Sequence, residues 1–113
     1  MHEMSLAESV LQIIEDNAAR QGFRRVSAVY VEVGRLAGVE VEALRFAFDA
    51  VTRDSVADGA RLEIIDVPGQ GWCLNCSETV PIDQLYDACP RCGAYQVHPS
   101  QGIDMRVKEL AVE

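Results

Sequence analysis

Basic residues are scarce in this 113-residue chain, where ten Lys and Arg stand against eighteen Asp and Glu for a net charge of -8. Such a field repels phosphate backbones and anionic lipid, so neither nucleic acid nor a membrane surface is an expected partner. A long apolar run is missing as well. Glu3, Glu8 and Glu15 interrupt the opening segment, which argues against a targeting peptide or membrane span there and for a cytoplasmic protein. No glycine-rich phosphate loop occurs, and Ser, His and acidic residues lack an activating arrangement, so the chain reads as a non-enzyme. Repeats and low-complexity stretches are absent. Aromatic residues make up only 6%, and a chain of this length supports one modest core that a bound metal would supplement.

The hydropathy pattern alternates helix and strand. Ser5 stands three residues before Glu8, as in a capping box, and Leu6, Val10, Ile14 and Ala18 recur behind it, which predicts a helix from about Leu6 to Gly22. A helix starting there would leave Met1, His2 and Glu3 as a free, flexible arm. Val26 to Val33 reads as a buried strand ended by Gly34, and Leu44, Ala47, Phe48 and Val51 share one face of a helix from about Glu40 to Asp54. Leu62, Ile64, Ile65 and Val67 form a second strand, and Ile103, Met105 and Val107 alternate with polar neighbours in a third. The expected fold is α+β, with two helices on one face of a small mixed three-stranded sheet. The first two strands would lie parallel through a helical crossover, and the last two would pair antiparallel around an inserted cysteine module. Pro68 to Gly71 and Pro99 to Gly102 are the expected hinges.

All four cysteines belong to two Cys-x-x-Cys pairs, Cys73 with Cys76 and Cys89 with Cys92. Each such turn aims two thiolates at one point, and two turns together supply the closed sulfur tetrahedron of a structural Zn²⁺ site. Gly93 suits the tight turn after the second pair. Between Gly71 and Pro99 the large apolar residues are too few to fold without a crosslink, so a zinc-ribbon-like module dependent on its metal is expected. A thioredoxin-like redox pair needs only one such motif. Iron is the other chemical possibility for four sulfurs. A nucleic-acid ribbon fails on charge, because Arg91 alone faces Glu78, Asp83 and Asp87 within the segment.

His2 is one residue from the start of the chain, so the Met1 amine, the His2 amide and the His2 imidazole could close fused rings around one ion. The amide of Glu3 or a side-chain carboxylate could add a further donor. Nitrogen-rich tetragonal sets of this kind favour Ni²⁺ or Cu²⁺ over Zn²⁺. A solvated, idle terminus is the competing reading, and a His at position 2 standing alone favours it. Glu40 reads as a first-turn acid that complements the helix dipole, or as a ligand. His98, beside Pro99, reads as an exposed loop residue and an outside candidate ligand.

Taken together, Met1-His2-Glu3-Met4-Ser5-Leu6, Phe46-Ala47-Phe48, Val56-Ala57-Asp58-Gly59-Ala60 and the two cysteine pairs resemble the HypA/HybF family of hydrogenase maturation nickel chaperones over essentially the whole chain. The resemblance implies a carrier that delivers Ni²⁺ to the large subunit of nickel-iron hydrogenase. It implies as partners the maturation GTPase of that pathway, the hydrogenase large subunit and, since some members serve urease, urease maturation proteins. It implies a nickel site of Met1, His2 and Glu3 assisted by Glu40, with structural zinc on Cys73, Cys76, Cys89 and Cys92. Residues 1–70 and 100–113 would then form the nickel-binding α/β domain and 71–99 the zinc-binding module. The rival classes are a zinc-stabilised protein-binding adaptor and a thiol redox enzyme.

Overall fold

A computed structural model describes residues 2–113. In chain order its elements are α1 (His2–Gln21), β1 (Val26–Gly34), α2 (Val41–Val51), β2 (Arg61–Val67), β3 (Gln70–Cys73), β4 (Glu78–Pro81), β5 (Val97–Gln101) and β6 (Met105–Val112). They form two three-stranded sheets, of order β2-β1-β6 and β4-β3-β5. The chain divides into two compact units. One holds the residues up to Val31 with Val39–Ile64 and Val107–Glu113, and the other holds Glu32–Gly38 with Ile65–Arg106.

In the first unit α1 and α2 pack on each other. Ala7, Val10 and Ile14 are the buried stripe of α1, and Leu44, Ala47 and Phe48 that of α2, each at the three- and four-residue spacing of one helix face. Buried Thr52 closes α2, its Oγ1 donating to the Phe48 carbonyl at 2.7 Å, so the helix stops three residues short of the expected Asp54. The capping-box expectation is corrected at the other helix. Its first turn is His2 to Ser5, and Ser5 lies inside it. Half-buried Met4 and Leu6 anchor that turn, and the acid at Glu3 complements the helix dipole.

The β2-β1-β6 sheet is mixed. Val26 N–H donates to Val56 O near one end of β1, and Arg35 N–H donates to Val67 O beyond the other, so β1 and β2 run parallel. Glu113 N–H donates to Arg25 O while Gly34 N–H donates to Asp104 O, so β1 and β6 run antiparallel. The expected pairing of β2 with the last strand is therefore wrong: both flank β1. Strand β1 carries buried Val26, Ala28, Val29, Val31 and Val33, and the strand most apolar on both faces takes the centre, where neighbours cover both edges.

The second sheet was not foreseen. Strand β3 pairs antiparallel with β4 through Gly71↔Val80 and Cys73↔Glu78, and with β5 through Gly71↔Pro99 and Cys73↔Val97. Residues expected to act as hinges, Gln70–Gly71 and Pro99–Gln101, are thus tied into strands. Pro81 and Pro99 both sit in edge strands, where a missing N–H is tolerated. Close backbone approach marks the start of this unit, since a Cβ on Gly34 would lie 2.2 Å from the Gly102 carbonyl oxygen. Gly34→Ala is expected to lower the stability of the fold by about 3 kcal/mol, because backbone must move to admit the methyl group. A urea melt of the zinc-loaded protein checks this.

Candidate metal centres

The four cysteine sulfurs lie within 4.8 Å of one another. Cys73 Sγ is 3.7 Å from Cys92 Sγ, and Cys76 Sγ is 3.9 Å from Cys89 Sγ. Four sulfurs each about 2.3 Å from a central Zn²⁺ in a tetrahedron stand about 3.8 Å apart, so the donor set and its spacing fit that ion. Among the described residues this is the group of three or more His, Cys, Asp and Glu side chains gathered closely enough to hold a metal. Zn²⁺ here would be held by Cys73, Cys76, Cys89 and Cys92 and would supply a structural crosslink.

Two matching turns aim the sulfurs. In the first, Ser77 N–H donates to the Cys73 carbonyl at 2.8 Å and Cys76 N–H donates to Cys73 Sγ at 3.3 Å. In the second, Gly93 N–H donates to the Cys89 carbonyl at 2.8 Å and Arg91 N–H to Cys89 Sγ at 3.4 Å. The residue after each pair is left-handed, with φ of 54° at Ser77 and 76° at Gly93. Glycine at the second turn was anticipated, whereas serine at the first carries a Cβ in the same region. Beneath the turns is a small apolar core of Leu36, Val80 and Ile82 with buried Cys73 and Cys89, and Val97 packs against it. Leu36, which lies outside the segment from 71 to 99, supplies apolar volume that the segment lacks.

The pKa of exposed Cys92 is lowered to about 6, first by a hydrogen bond from the Asn75 side chain and then by one from the Ala94 backbone. Cys76 is raised to about 12, first by its hydrogen bond to Cys92 and then by burial. A divalent cation bound by the four sulfurs would displace the protons they carry. His98 lies on β5 opposite Trp72, one residue from Val97. Since strand side chains alternate and Val97 packs against the sulfur core, His98 points to the other face. It is an exposed strand residue, not a loop residue.

The predicted nickel ligands are distributed differently. Met1 lies outside the described residues. His2 is the first residue of α1 and not part of a free arm, and its side chain keeps 59% of its exposure while that of Glu3 keeps 15%. His2 Nδ1 stands 3.4 Å from Glu3 Oε2. The same Oε2 accepts the Glu40 N–H at 3.2 Å. Glu3 is held below the usual carboxylate range, first by this N–H, then by its own backbone N–H and by His2. Glu40 is exposed at the N-cap of α2, with extended backbone and no cap hydrogen bond from its own side chain. The structure therefore joins Glu3 to His2 through side chains and to Glu40 through backbone. That last bond had no signal in the sequence, because thirty-seven positions separate the partners.

The turn geometry makes unequal demands at equivalent positions. Ser77→Gly is expected to keep its zinc and to match or exceed the parent in stability. Gly93→Val should cost about 1–2 kcal/mol, because a β-branched side chain is forced into left-handed backbone. Thermal melts alongside zinc analysis separate the two.

A family model described as "Hydrogenase/urease nickel incorporation, metallochaperone, hypA" matches residues 1–112. The hydrogenase maturation factor HypA of Azotobacter chroococcum mcd 1 is 59% identical over 113 residues, covering 100% of both chains. The HypA of Azoarcus sp. (strain BH72) is 61% identical over 112 residues, covering 99% of this chain and 98% of its own. The solution structure of the Ni metallochaperone HypA from Helicobacter pylori superposes with a TM-score of 0.71 at 26% identity, over 97% of this chain and 96% of that one. A second HypA solution structure gives 0.74 at 27% identity, over 100% and 97%. Full-length identity, shared fold and four converging sulfurs agree: the chain belongs to the HypA family of nickel metallochaperones for hydrogenase maturation.

Proposed function

We propose that this protein carries Ni²⁺ on donors at its N-terminus and delivers it to the large subunit of nickel-iron hydrogenase. The donors are the Met1 amine, the His2 amide and imidazole, and Glu3, with Glu40 assisting. The maturation GTPase of the same pathway is the handling partner, and urease maturation proteins form a second set of clients. It works in the cytoplasm and catalyses no reaction. Residues 1–70 and 100–113 serve as the nickel-binding domain, with 71–99 as the zinc module.

One observation carries this reading: the exposed His2 imidazole at the first position of α1 has the Glu3 carboxylate beside it. Helix geometry supports it further. The first four N–H groups of a helix have no intrahelical acceptor, so an amide in that turn can be taken by a metal without breaking a helical hydrogen bond. Exposure also suits a carrier, because a receiving protein's ligands can displace the donors one at a time. Buried sulfurs suit the opposite task. With two of its four sulfurs buried, the cysteine cage retains its ion and stiffens the fold.

His2→Ala is expected to abolish tight nickel binding while leaving about one zinc per chain and the helical signal unchanged. Calorimetry with Ni²⁺, metal analysis and circular dichroism on untagged protein check it. An adaptor without a carrier role would bind nickel equally with or without His2. A thiol redox enzyme would show titratable free thiols in the zinc-loaded protein.

A further inference from the structure

The Glu3 carboxylate is committed to α2. Its Oε2 accepts the Glu40 N–H at 3.2 Å, and Glu40 is the N-cap residue, where a side-chain oxygen ordinarily satisfies one of the unpaired donors of the first turn. Glu40 makes no such bond with its own side chain and stays exposed. An acid from the first turn of α1 thus satisfies the N-cap N–H of α2, the donor that a capping box gives to a Glu or Gln at the third helical position, where this helix has Ala43. The same oxygen lies 3.4 Å from His2 Nδ1, so one carboxylate touches the imidazole on one side and the start of α2 on the other.

Resting on the nickel reading of this site, we infer that Glu3 is a positioning residue whose carboxylate seats the N-terminus of α2, and Glu40 with it, beside His2. Glu3 then contributes to the metal through its backbone, and its side chain is not a ligand. The division follows from what the Oε2 bond holds in place. If the carboxylate turned so that Oε2 left Glu40 for a cation, the N-cap N–H of α2 would lose its acceptor and Glu40 the bond that ties it to α1. A carboxylate that stays keeps both acids in register with the imidazole while the chain's nitrogens hold the ion. Glutamate at position 3 is therefore required as a hydrogen-bond acceptor, not as a charge.

Full-length zinc-loaded Glu3→Gln and Glu3→Ala test this against the parent, with His2→Ala as a control for the site. Two quantities are read: hydrogen exchange of the Glu40 amide by NMR in nickel-free protein, and Ni²⁺ affinity by calorimetry. Glu3→Gln keeps an acceptor oxygen, so exchange and nickel affinity should both stay within about threefold of the parent. Glu3→Ala should speed Glu40 exchange by about fivefold or more and weaken nickel binding by a similar factor, with circular dichroism showing both helices retained. Unchanged Glu40 exchange in Glu3→Ala overturns the proposal. So does a Glu3→Gln variant that loses nickel as fully as Glu3→Ala does, since the charge would then be the ligand. Should His2→Ala retain nickel, the nickel reading of the site fails instead, and the exchange data still decide whether Glu3 caps α2.

Discussion

Convergence of four sulfurs on one point is the constraint on which the cysteine-bearing unit depends. Its apolar core consists of five buried residues, and two of them, Cys73 and Cys89, are members of the cage. Sheet β4-β3-β5 is built from strands of four or five residues, with exposed Trp72, Leu74, Leu85, Tyr86 and Tyr95 around it. Apolar burial on that scale does not outweigh the conformational entropy of ordering the segment, a difference that a metal held by the four cysteines would supply. The backbone is bent to serve the sulfurs: a serine and a glycine take left-handed conformations so that each turn closes on its first cysteine.

The ion pairs of this unit are solvent-exposed and join residues far apart in the chain. Arg35 reaches Asp66 at 2.8 Å and Asp83 at 2.9 Å, and Arg91 reaches Glu78 at 2.6 Å. Solvent-facing ion pairs of this kind contribute little to stability, about 0–1 kcal/mol each. Their value is positional: Arg35 directly follows β1 and holds one acid from β2 and one from the loop after β4. In the other unit the corresponding link is a single carboxylate, Glu3, which joins the starts of two helices. The two units thus keep different kinds of order, one built around four converging sulfurs and the other around helix packing with a carboxylate latch between the two helices.

That difference matches the chemistry proposed for each metal. A closed sulfur cage with buried members exchanges its ion slowly, because releasing it means exposing the small core. Donors beside the exposed His2 imidazole exchange readily, because a partner's ligands can reach them from solvent. A carrier that kept its cargo in a cage, or its structural ion on a helix end, would fail at both tasks. No helix among the described residues is long and apolar enough to cross a membrane.

The zinc site was legible in the sequence because Cys-x-x-Cys is a local geometry: four atoms of fixed chemistry at short spacing dictate their own convergence. So were both helices and the three longer strands, whose periodicity records which face is buried. The start of α1 departs from its local signal, since the Ser5 and Glu8 pattern satisfies a local rule that the half-buried Met4 and the contact from Glu3 to α2 override. Short strands β3, β4 and β5 left no periodicity to read, and their prolines and glycine argued for loops. Residue type and spacing alone determined the convergence of four sulfurs and the alternation of helix and strand. Only tertiary structure decided that β1 is central, that Leu36 belongs to the cysteine core, and that Glu3 reaches Glu40. Each of those depends on which distant segment covers a surface or satisfies a donor, and the chain encodes that only once it has folded.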